Sequence, residues 1–236
     1  MNPFSRALLN YHAGFRDAEF MIRRDDGYQQ RVRVAEFYES ETFPVLETRA
    51  MNECVGTILD VGCAAGRHSL ELLSRGHEVT SLEILPELEV ILRDRGQSDV
   101  IIEDVFQYSA KRFDTLLMLM NGIGMVGSIE GLTRFLNHAD GLLVPGGQIL
   151  CDSIDVGITN NPQHIAYREA NLAAGRPAGQ QACTMECEGE DSVRFDWLHI
   201  DFQSLAQSCT ENGWRAKLLE KQDTGHYLCK LEIATP

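Results

Sequence analysis

From Gly56 onward the chain alternates two hydrophobic rhythms. Short apolar runs bounded by turn residues give way to segments whose apolar positions recur at helical spacing. "TILDV" predicts a strand, and "RHSLELLSRG" predicts a helix that carries Leu70, Leu72 and Leu73 and stops at Gly76. "HEVTSLEI" predicts a second strand. "LPELEVILRDRG" predicts the helix after it, with Pro86 near its first turn and Gly96 past its end. "DVIIED" and "FDTLLMLM" predict two further strands, "SIEGLTRFLNHADGLL" the next helix, and "GGQILCDSID" a fifth strand after the turn "VPGG". Strand and helix in strict alternation predict a mostly parallel sheet covered on both faces, with right-handed crossovers.

The flanks break this rhythm. Residues 1–52 read as a helical layer rich in aromatics, among them Phe4, Tyr11, Phe15, Phe20, Tyr28, Phe37, Tyr38 and Phe43. A layer packed on the sheet and a lid over a ligand pocket both fit that composition. Residues 53–236 read as the main domain, with an insertion at about 156–200. In the insertion, "GITNNPQHIAYREANLAAGRPAG" predicts loop with some helix, and "QQACTMECEGEDSVRFDWLHID" two strands around the turn "EGED". The helix "FQSLAQSCTENG" follows, and "WRAKLLEKQDTGHYLCKLEI" predicts two closing strands joined by "QDTG".

Composition narrows the partners. The 236 residues carry a formal net charge of -14, with 44% hydrophobic and 24% charged residues. A surface this acidic argues against nonspecific capture of nucleic acid or an anionic membrane, because phosphate binding relies on Lys and Arg. The seven cysteines, an odd number without framework spacing, predict reduced thiols and a cytoplasmic location. Cys183 and Cys187 lack a partner set at zinc spacing and read as structural, so no metal site is expected. "MNPFSRALLNYHAGFRDAEF" has no secretory pattern, and no run of about 18 uncharged apolar residues predicts a membrane span.

The chemistry concentrates at the first strand-to-helix turn, which lies at the carboxyl edge of the sheet where open α/β folds bind ligands. Small residues at Gly62, Ala64, Ala65 and Gly66 let a ligand approach the backbone closely. Glu83, ending the second strand, suits a ribose diol. The run "GCAAGRH" lacks the central glycine of a dinucleotide fingerprint, and no Gly-Lys-Ser/Thr follows it as in a phosphate-binding loop. Asp60 fits poorly beside a pyrophosphate. A carboxylate there suits a cationic group such as an ammonium.

In these motifs the chain resembles the class I S-adenosylmethionine-dependent methyltransferases. "LDVGCAAG" is similar to their first motif with its D-x-G-x-G-x-G core, "SLEI" to the acid-ended second strand, and "EDVFQY" to the segment after strand three. "FDTLLMLMNGIG" resembles strand four and its exit, and "LLVPGGQIL" the turn into strand five. The likeness covers residues 54–155 by motif and 200–233 by pattern. It implies a doubly wound, mostly parallel seven-stranded sheet with a reversed C-terminal strand, a helical N-terminal layer and a small inserted β-hairpin. It implies S-adenosyl-L-methionine as cofactor and S-adenosyl-L-homocysteine as product. Asp60 would orient the methionine amino group. The backbone of Gly62, Cys63 and Ala64 would face methionine and ribose, with Gly66 closing the turn. Glu83 would hold the ribose hydroxyls, Ile84 would lie against the adenine, and Asp104 would accept from the adenine amino group beside Val105. Met120 and Asn121 would lie near the sulfonium. Ala64 departs from the motif's middle glycine, which is tolerable only if that residue does not need a positive φ.

Methyl transfer from a sulfonium is an in-line displacement in which the enzyme aligns the nucleophile and excludes water. Candidate catalytic groups are Asn121 and Asp152, with Ser153 and Asp155 nearby in "CDSIDV". Asp152 or Asp155 reads as a base or a substrate anchor, and equally as a cap of the following segment. Tyr167, Trp197, His199 and Asp201 are candidates for shaping specificity. His68 reads as packing or capping, Cys63 as a small filler, and the Glu186–Glu190 acids as a solvated turn. The strand-four exit "NGIG" is not the tetrad associated with amino methylation of bases or glutamine. A small-molecule acceptor, methylated at O or N, is the first expectation. A peptide or protein side chain is the alternative. A non-catalytic binder or another nucleotide-dependent protein of this fold are readings from other classes.

Overall fold

The computed structural model of the chain describes residues 1–38, 42–188, 190 and 192–234. In chain order its elements are α1 (Pro3–His12), β1 (Glu19–Arg24), β2 (Gln29–Arg33), α2 (Val45–Glu53), β3 (Thr57–Val61), α3 (Arg67–Ser74), β4 (Glu78–Glu83), α4 (Glu89–Asp94), β5 (Val100–Ile102), β6 (Phe113–Met118), α5 (Ile129–Leu142), β7 (Leu143–Ile154), α6 (Pro162–Ala173), β8 (Gly179–Glu186), β9 (Val193–His199), α7 (Phe202–Glu211), β10 (Trp214–Lys221) and β11 (His226–Ile233). Short 3-10 turns at Val34–Phe37, Pro86–Leu88 and Gly122–Val126 complete it. Side-chain caps start several helices. Asn2, Ser128, Asn161 and Asp201 accept from backbone N–H groups at the starts of α1, α5, α6 and α7.

The main sheet has seven strands in the order β10-β11-β7-β6-β3-β4-β5. β4 pairs with β5 and β6 with β7 in parallel, while β11 runs antiparallel to both β7 and β10. This is the doubly wound arrangement with its reversed C-terminal strand. A second, four-stranded sheet has the order β2-β1-β8-β9.

Two elements differ from the sequence expectation. The N-terminal layer holds α1 and α2, but between them lies the hairpin β1–β2, which pairs through β1 with the inserted β8. Asp26 and Gly27 make its turn: Gly27 has φ +86, and Asp26 Oδ1 accepts from the Tyr28 N–H at 3.2 Å. The "VPGG" turn, in turn, lies inside β7. Phe113 of β6 faces Leu143 and Thr115 faces Gln148, so β7 bulges between those pairings. Gly146 takes φ +80 there, and a Cβ on Gly147 would stand 3.0 Å from the Val144 carbonyl oxygen.

The chain divides into two compact units: residues 1–43, 59–108 and 182–195 form the first, and residues 44–58, 109–181 and 196–236 the second. The sequence-level cap of residues 1–52 is thus shared, with 1–43 in the first unit and the start of α2 in the second; residues 39–41 lie outside the described residues. The first unit has a core built from Leu8, Tyr11, Phe20, Val34 and Tyr38 of the N-terminal segment together with Ala64, Ala65, Leu88 and Ile91. In the second, Phe113, Leu116, Leu132, Phe135, Leu150 and Tyr227 are fully buried. Tyr227 satisfies its hydroxyl on the Ile200 carbonyl at 2.7 Å.

Candidate active site

In the first unit the glycine turn follows β3. Gly62, Ala64 and Gly66 have φ of +71, +51 and +77. Ala64 therefore does adopt the left-handed backbone that its tolerance was expected to avoid, at a cost of about 1–2 kcal/mol for an L-residue. Neighbouring hydrogen bonds impose that conformation. The N–H groups of Gly62 and Cys63 both donate to the Leu82 carbonyl, at 2.8 and 3.2 Å. The Ala64 N–H donates to Glu83 Oε2 at 3.0 Å, and the Gly66 N–H to the Cys63 carbonyl at 2.7 Å. The turn is thereby fastened to β4, and these N–H groups serve the fold. Gly66 is required by packing as well, since a Cβ there would lie 2.8 Å from Leu92 Cδ2.

Two buried carboxylates flank this turn. Asp60 is 3% and Glu83 is 4% exposed. Asp60 Oδ2 accepts from Ser69 Oγ at 2.5 Å. Burial pushes its carboxyl above the usual range, against the opposing pull of His68 and the Ser69 bonds. Glu83 Oε1 accepts from the N–H groups of Ile84 and Leu85, at 2.8 and 3.0 Å, in addition to the Ala64 bond on Oε2. Burial still holds the Glu83 carboxyl above its ordinary value. A carboxylate offers about four lone-pair sites, so Glu83 retains capacity for a hydroxyl donor. Neither acid is paired with Lys or Arg among the described residues. A buried anion without such a partner is costly and fits a cationic ligand.

Ile84 stands 58% exposed next to the buried Glu83. Asp104 Oδ1 accepts from the Phe106 N–H at 3.0 Å, and Val105 is buried beside it. This set has the chemistry of a nucleoside with an ammonium-bearing tail: a carboxylate for the ammonium, one for the ribose, and an apolar face for a base. Ile84→Ala is expected to leave the melting temperature unchanged, because the side chain is exposed. The same variant should weaken binding of a nucleoside ligand of this kind about fivefold, corresponding to roughly 1 kcal/mol of lost apolar contact. Thermal melts and calorimetry check both halves. Cys63 is buried, and burial first, then Asp60 and Glu83, pushes its thiol well up, which disfavours a thiolate there.

The N-terminal segment is clamped onto the same turn. Arg95 donates through Nη1 to the Ala65 carbonyl and through Nη2 to the Tyr38 carbonyl at 2.8 Å. Its guanidinium also lies 4.7 Å from the centre of the Tyr38 ring. Arg67 Nη1 donates to the Glu36 carbonyl at 2.7 Å, with its guanidinium 4.9 Å from the centre of the Phe43 ring. The Glu186–Glu190 acids are more engaged than a solvated turn would be: Glu190 binds Arg6 and Glu186 binds Arg23. Gly189 and Asp191 of the "EGED" turn lie outside the described residues.

In the second unit β6 ends at Met118, and Met120 and Asn121 both take left-handed backbones, φ +60 and +59. Two consecutive non-glycine residues in this region mark a strained, over-determined turn of the kind found at functional sites. Asp152, 6% exposed, accepts the Asn121 N–H on Oδ1 at 2.7 Å. Asn121 Oδ1 is buried without a hydrogen-bond partner among the described residues. The next turn packs under Trp197, since a Cβ on Gly124 would stand 2.2 Å from Trp197 Nε1. Ser153 Oγ accepts from the Ile200 N–H at 3.1 Å. Asp155 holds the Gly157 N–H and lies 3.6 Å from Lys221 Nζ. Asp201 caps α7 through Ser204, which accounts for it as a structural residue. Sequence reasoning missed Ser69, Ser81 and Gln97, which line up behind Asp60. The signal was the polar pair Thr80–Ser81 inside an apolar strand.

Among the described residues no group of three or more His, Cys, Asp and Glu forms a metal-binding cluster. None of the helices there is long and apolar enough to cross a membrane.

Residues 59–151 match the family described as "Methyltransferase domain". The chain is similar to a SAM-dependent methyltransferase from Bacteroides fragilis solved with S-adenosyl-L-homocysteine: 29% identity, TM-score 0.87, covering 99% of this chain and 95% of that one. It shares the fold of the CcbJ methyltransferase from Streptomyces caelestis, at 13% identity and TM-score 0.59 over 86% of this chain and 96% of that one. It is also 23% identical over 158 residues to Nodulation protein S of Rhizobium tropici, a match covering 65% of this chain and 66% of that protein's length.

Proposed function

Because the chain is a class I S-adenosylmethionine-dependent methyltransferase, we propose that it methylates a small molecule at oxygen or nitrogen. The observation that carries the cofactor side is the pair of buried acids, Asp60 and Glu83, next to the exposed Ile84. Asp60 orients the donor's ammonium and Glu83 accepts from its ribose hydroxyls. Ile84 covers one face of the adenine, Asp104 accepts from its amino group, and Val105 lies beside it. Gly62, Cys63, Ala64 and Gly66 shape the turn at which the methionine lies, and Met120, in the second unit, belongs to the strained strand exit that is the candidate for the acceptor's side. When bound, the cofactor supplies a methyl group on a sulfonium that leaves as a neutral thioether.

The chain's own contribution to the reaction is alignment and exclusion of water. Asn121 orients the acceptor. Asp152 spends one carboxylate oxygen on the Asn121 N–H, so its role is to fix that turn. Residues 1–38, clamped at Glu36 and Tyr38 by Arg67 and Arg95, serve as the cover of the cofactor turn. A net charge of -14 supports a small acceptor over a polyanion. Seven free thiols support a cytoplasmic location.

The test is a transfer assay with methyl-labelled S-adenosylmethionine against small amines and hydroxylated compounds, with peptides and nucleic acid alongside. Label in the small-molecule fraction is expected. Label confined to peptide or nucleic acid would overturn the acceptor class. Failure of the folded chain to bind S-adenosylhomocysteine in calorimetry would remove the cofactor site itself.

A further inference from the structure

Behind Asp60 lies a row of polar side chains that the cofactor site does not explain. Ser69 and Ser81 are 0% exposed and Gln97 is 2% exposed. Gln97 Nε2 donates to Ser81 Oγ at 2.6 Å, Ser81 Oγ to Ser69 Oγ at 2.8 Å, and Ser69 Oγ to Asp60 Oδ2 at 2.5 Å. The three residues come from α3, from β4 and from the loop after α4. The direction of the row is fixed from the anion outward. An ionised carboxylate only accepts, so Ser69 spends its one proton on Asp60. Ser81 must then spend its proton on Ser69, and Gln97 must present its NH2 end to Ser81. The orientation at Gln97 leaves its Oε1 buried with no partner among the described residues. Core filling alone would favour Ala or Val at these positions, since buried hydroxyls and an unpaired amide oxygen cost stability.

We propose that Ser69, Ser81 and Gln97 are positioning residues for methyl-donor binding, a one-way donor relay that holds the Asp60 carboxylate as an oriented anion for the cofactor's ammonium. The proposal rests on the reading of Asp60 as the ammonium's partner. Each donor in the row polarises the next, so loss of the far member weakens the last bond. The charged and titratable groups facing Asp60 are His68 on α3, Cys63 in the turn and Glu83 on β4. Of these, Glu83 opposes its ionisation and His68 supports it, while the buried Cys63 thiol stays neutral and adds no charge. The relay adds a pull of the same sign as His68 without adding a charge that would compete for the ammonium.

The experiment is calorimetry with S-adenosylhomocysteine from pH 5.5 to 9 on wild type, Ser81→Ala, Gln97→Met and Asp60→Asn, with a thermal melt of each. Ser81→Ala should weaken binding about fivefold at pH 7, the size expected for losing the hydrogen bond to the Ser69 hydroxyl that itself holds the Asp60 charge. Its acid limb should move to higher pH, and the gap to wild type should narrow on the alkaline side. Gln97→Met should shift the same way by about threefold, in line with a second-order member of a cooperative chain. Its melting temperature should hold or rise, because the unpaired Oε1 is gone. A structural role would lower that melting temperature and leave the pH profile in place. Parallel profiles for all relay variants beside a weakened Asp60→Asn would overturn the relay and leave Asp60's role standing. An Asp60→Asn that binds like wild type would overturn both.

Discussion

Replacing Asp60 with Asn is expected to raise the melting temperature of the cofactor-free chain while weakening S-adenosylhomocysteine binding tenfold or more. Asp60 is 3% exposed, and burial pushes its carboxyl up against the pull of His68 and Ser69. A carboxyl raised in the folded state contributes stability only where it is protonated. That contribution is complete below the ordinary carboxylate range and is lost as pH rises through the raised value. Where Asp60 is ionised in the cofactor-free chain, it is a buried charge whose desolvation is only partly offset by His68 and Ser69. Asn keeps an oxygen to accept from Ser69 and carries no charge.

The expected gain is about 1 kcal/mol, or roughly 2–4 °C for a chain of this size. It should shrink as the solution is made acidic. Ligand reverses the order. Loss of the partner proposed for the ammonium should cost at least about 1.4 kcal/mol of affinity. A ligand at about 100 times its Kd stabilises the wild type by about 2.7 kcal/mol, and the variant by much less. Paired melts with and without S-adenosylhomocysteine read both effects. An Asn variant that is less stable without ligand, or equally stabilised by it, would remove Asp60 from the cofactor site.

The same physics explains what the sequence made legible. β3 and β6 are buried along nearly their whole length, so each reads as a largely apolar stretch. Asp60 stands out as an acid inside such a run, and Glu83 ends another. β2 gives no such signal, because four of its five residues are exposed. Its neighbour β1 takes as its other partner β8, with Met21 facing Glu186 far along the chain. The local clue was the Asp26-Gly27 pair. The bulge inside β7 hid for a related reason, since "VPGG" signals a turn whether or not strand pairing resumes on both sides of it. Around the site, residue type revealed the acids but not their partners. Glu83 is tied to the backbone at Ala64, and the row behind Asp60 joins three separate elements. The positive φ at Ala64 follows from that tie, which no spacing rule contains.

Two glycines of one helix should respond to alanine with opposite signs. Gly131 and Gly141 both lie in α5 (Ile129–Leu142). Alanine in a helix is worth up to about 1 kcal/mol over glycine. At Gly141 a Cβ would meet nothing within 4 Å, so Gly141→Ala should collect that gain. At Gly131 the added Cβ would stand 1.9 Å from the Val126 carbonyl oxygen and 3.0 Å from its carbon. Both are backbone atoms, so no side chain can swing aside. Gly131 also donates its N–H to the capping Ser128 Oγ at 3.0 Å, which pins the first turn of α5. Relief must come from moving the junction between that cap and the 3-10 turn Gly122–Val126, which continues directly from the strained Met120–Asn121 pair. Overpacking of this kind costs about 1–3 kcal/mol, and a backbone obstacle puts it at the upper end. After the helix-propensity gain is deducted, the net loss is about 2 kcal/mol, or roughly 4–8 °C in melting temperature. Transfer activity should fall in Gly131→Ala and persist in Gly141→Ala, because the displaced junction carries Asn121 whereas Gly141 lies at the far end of the helix. If Gly131→Ala melts at or above Gly141→Ala, the close approach of α5 to Val126 is wrong, and with it the support assigned to the Asn121 turn.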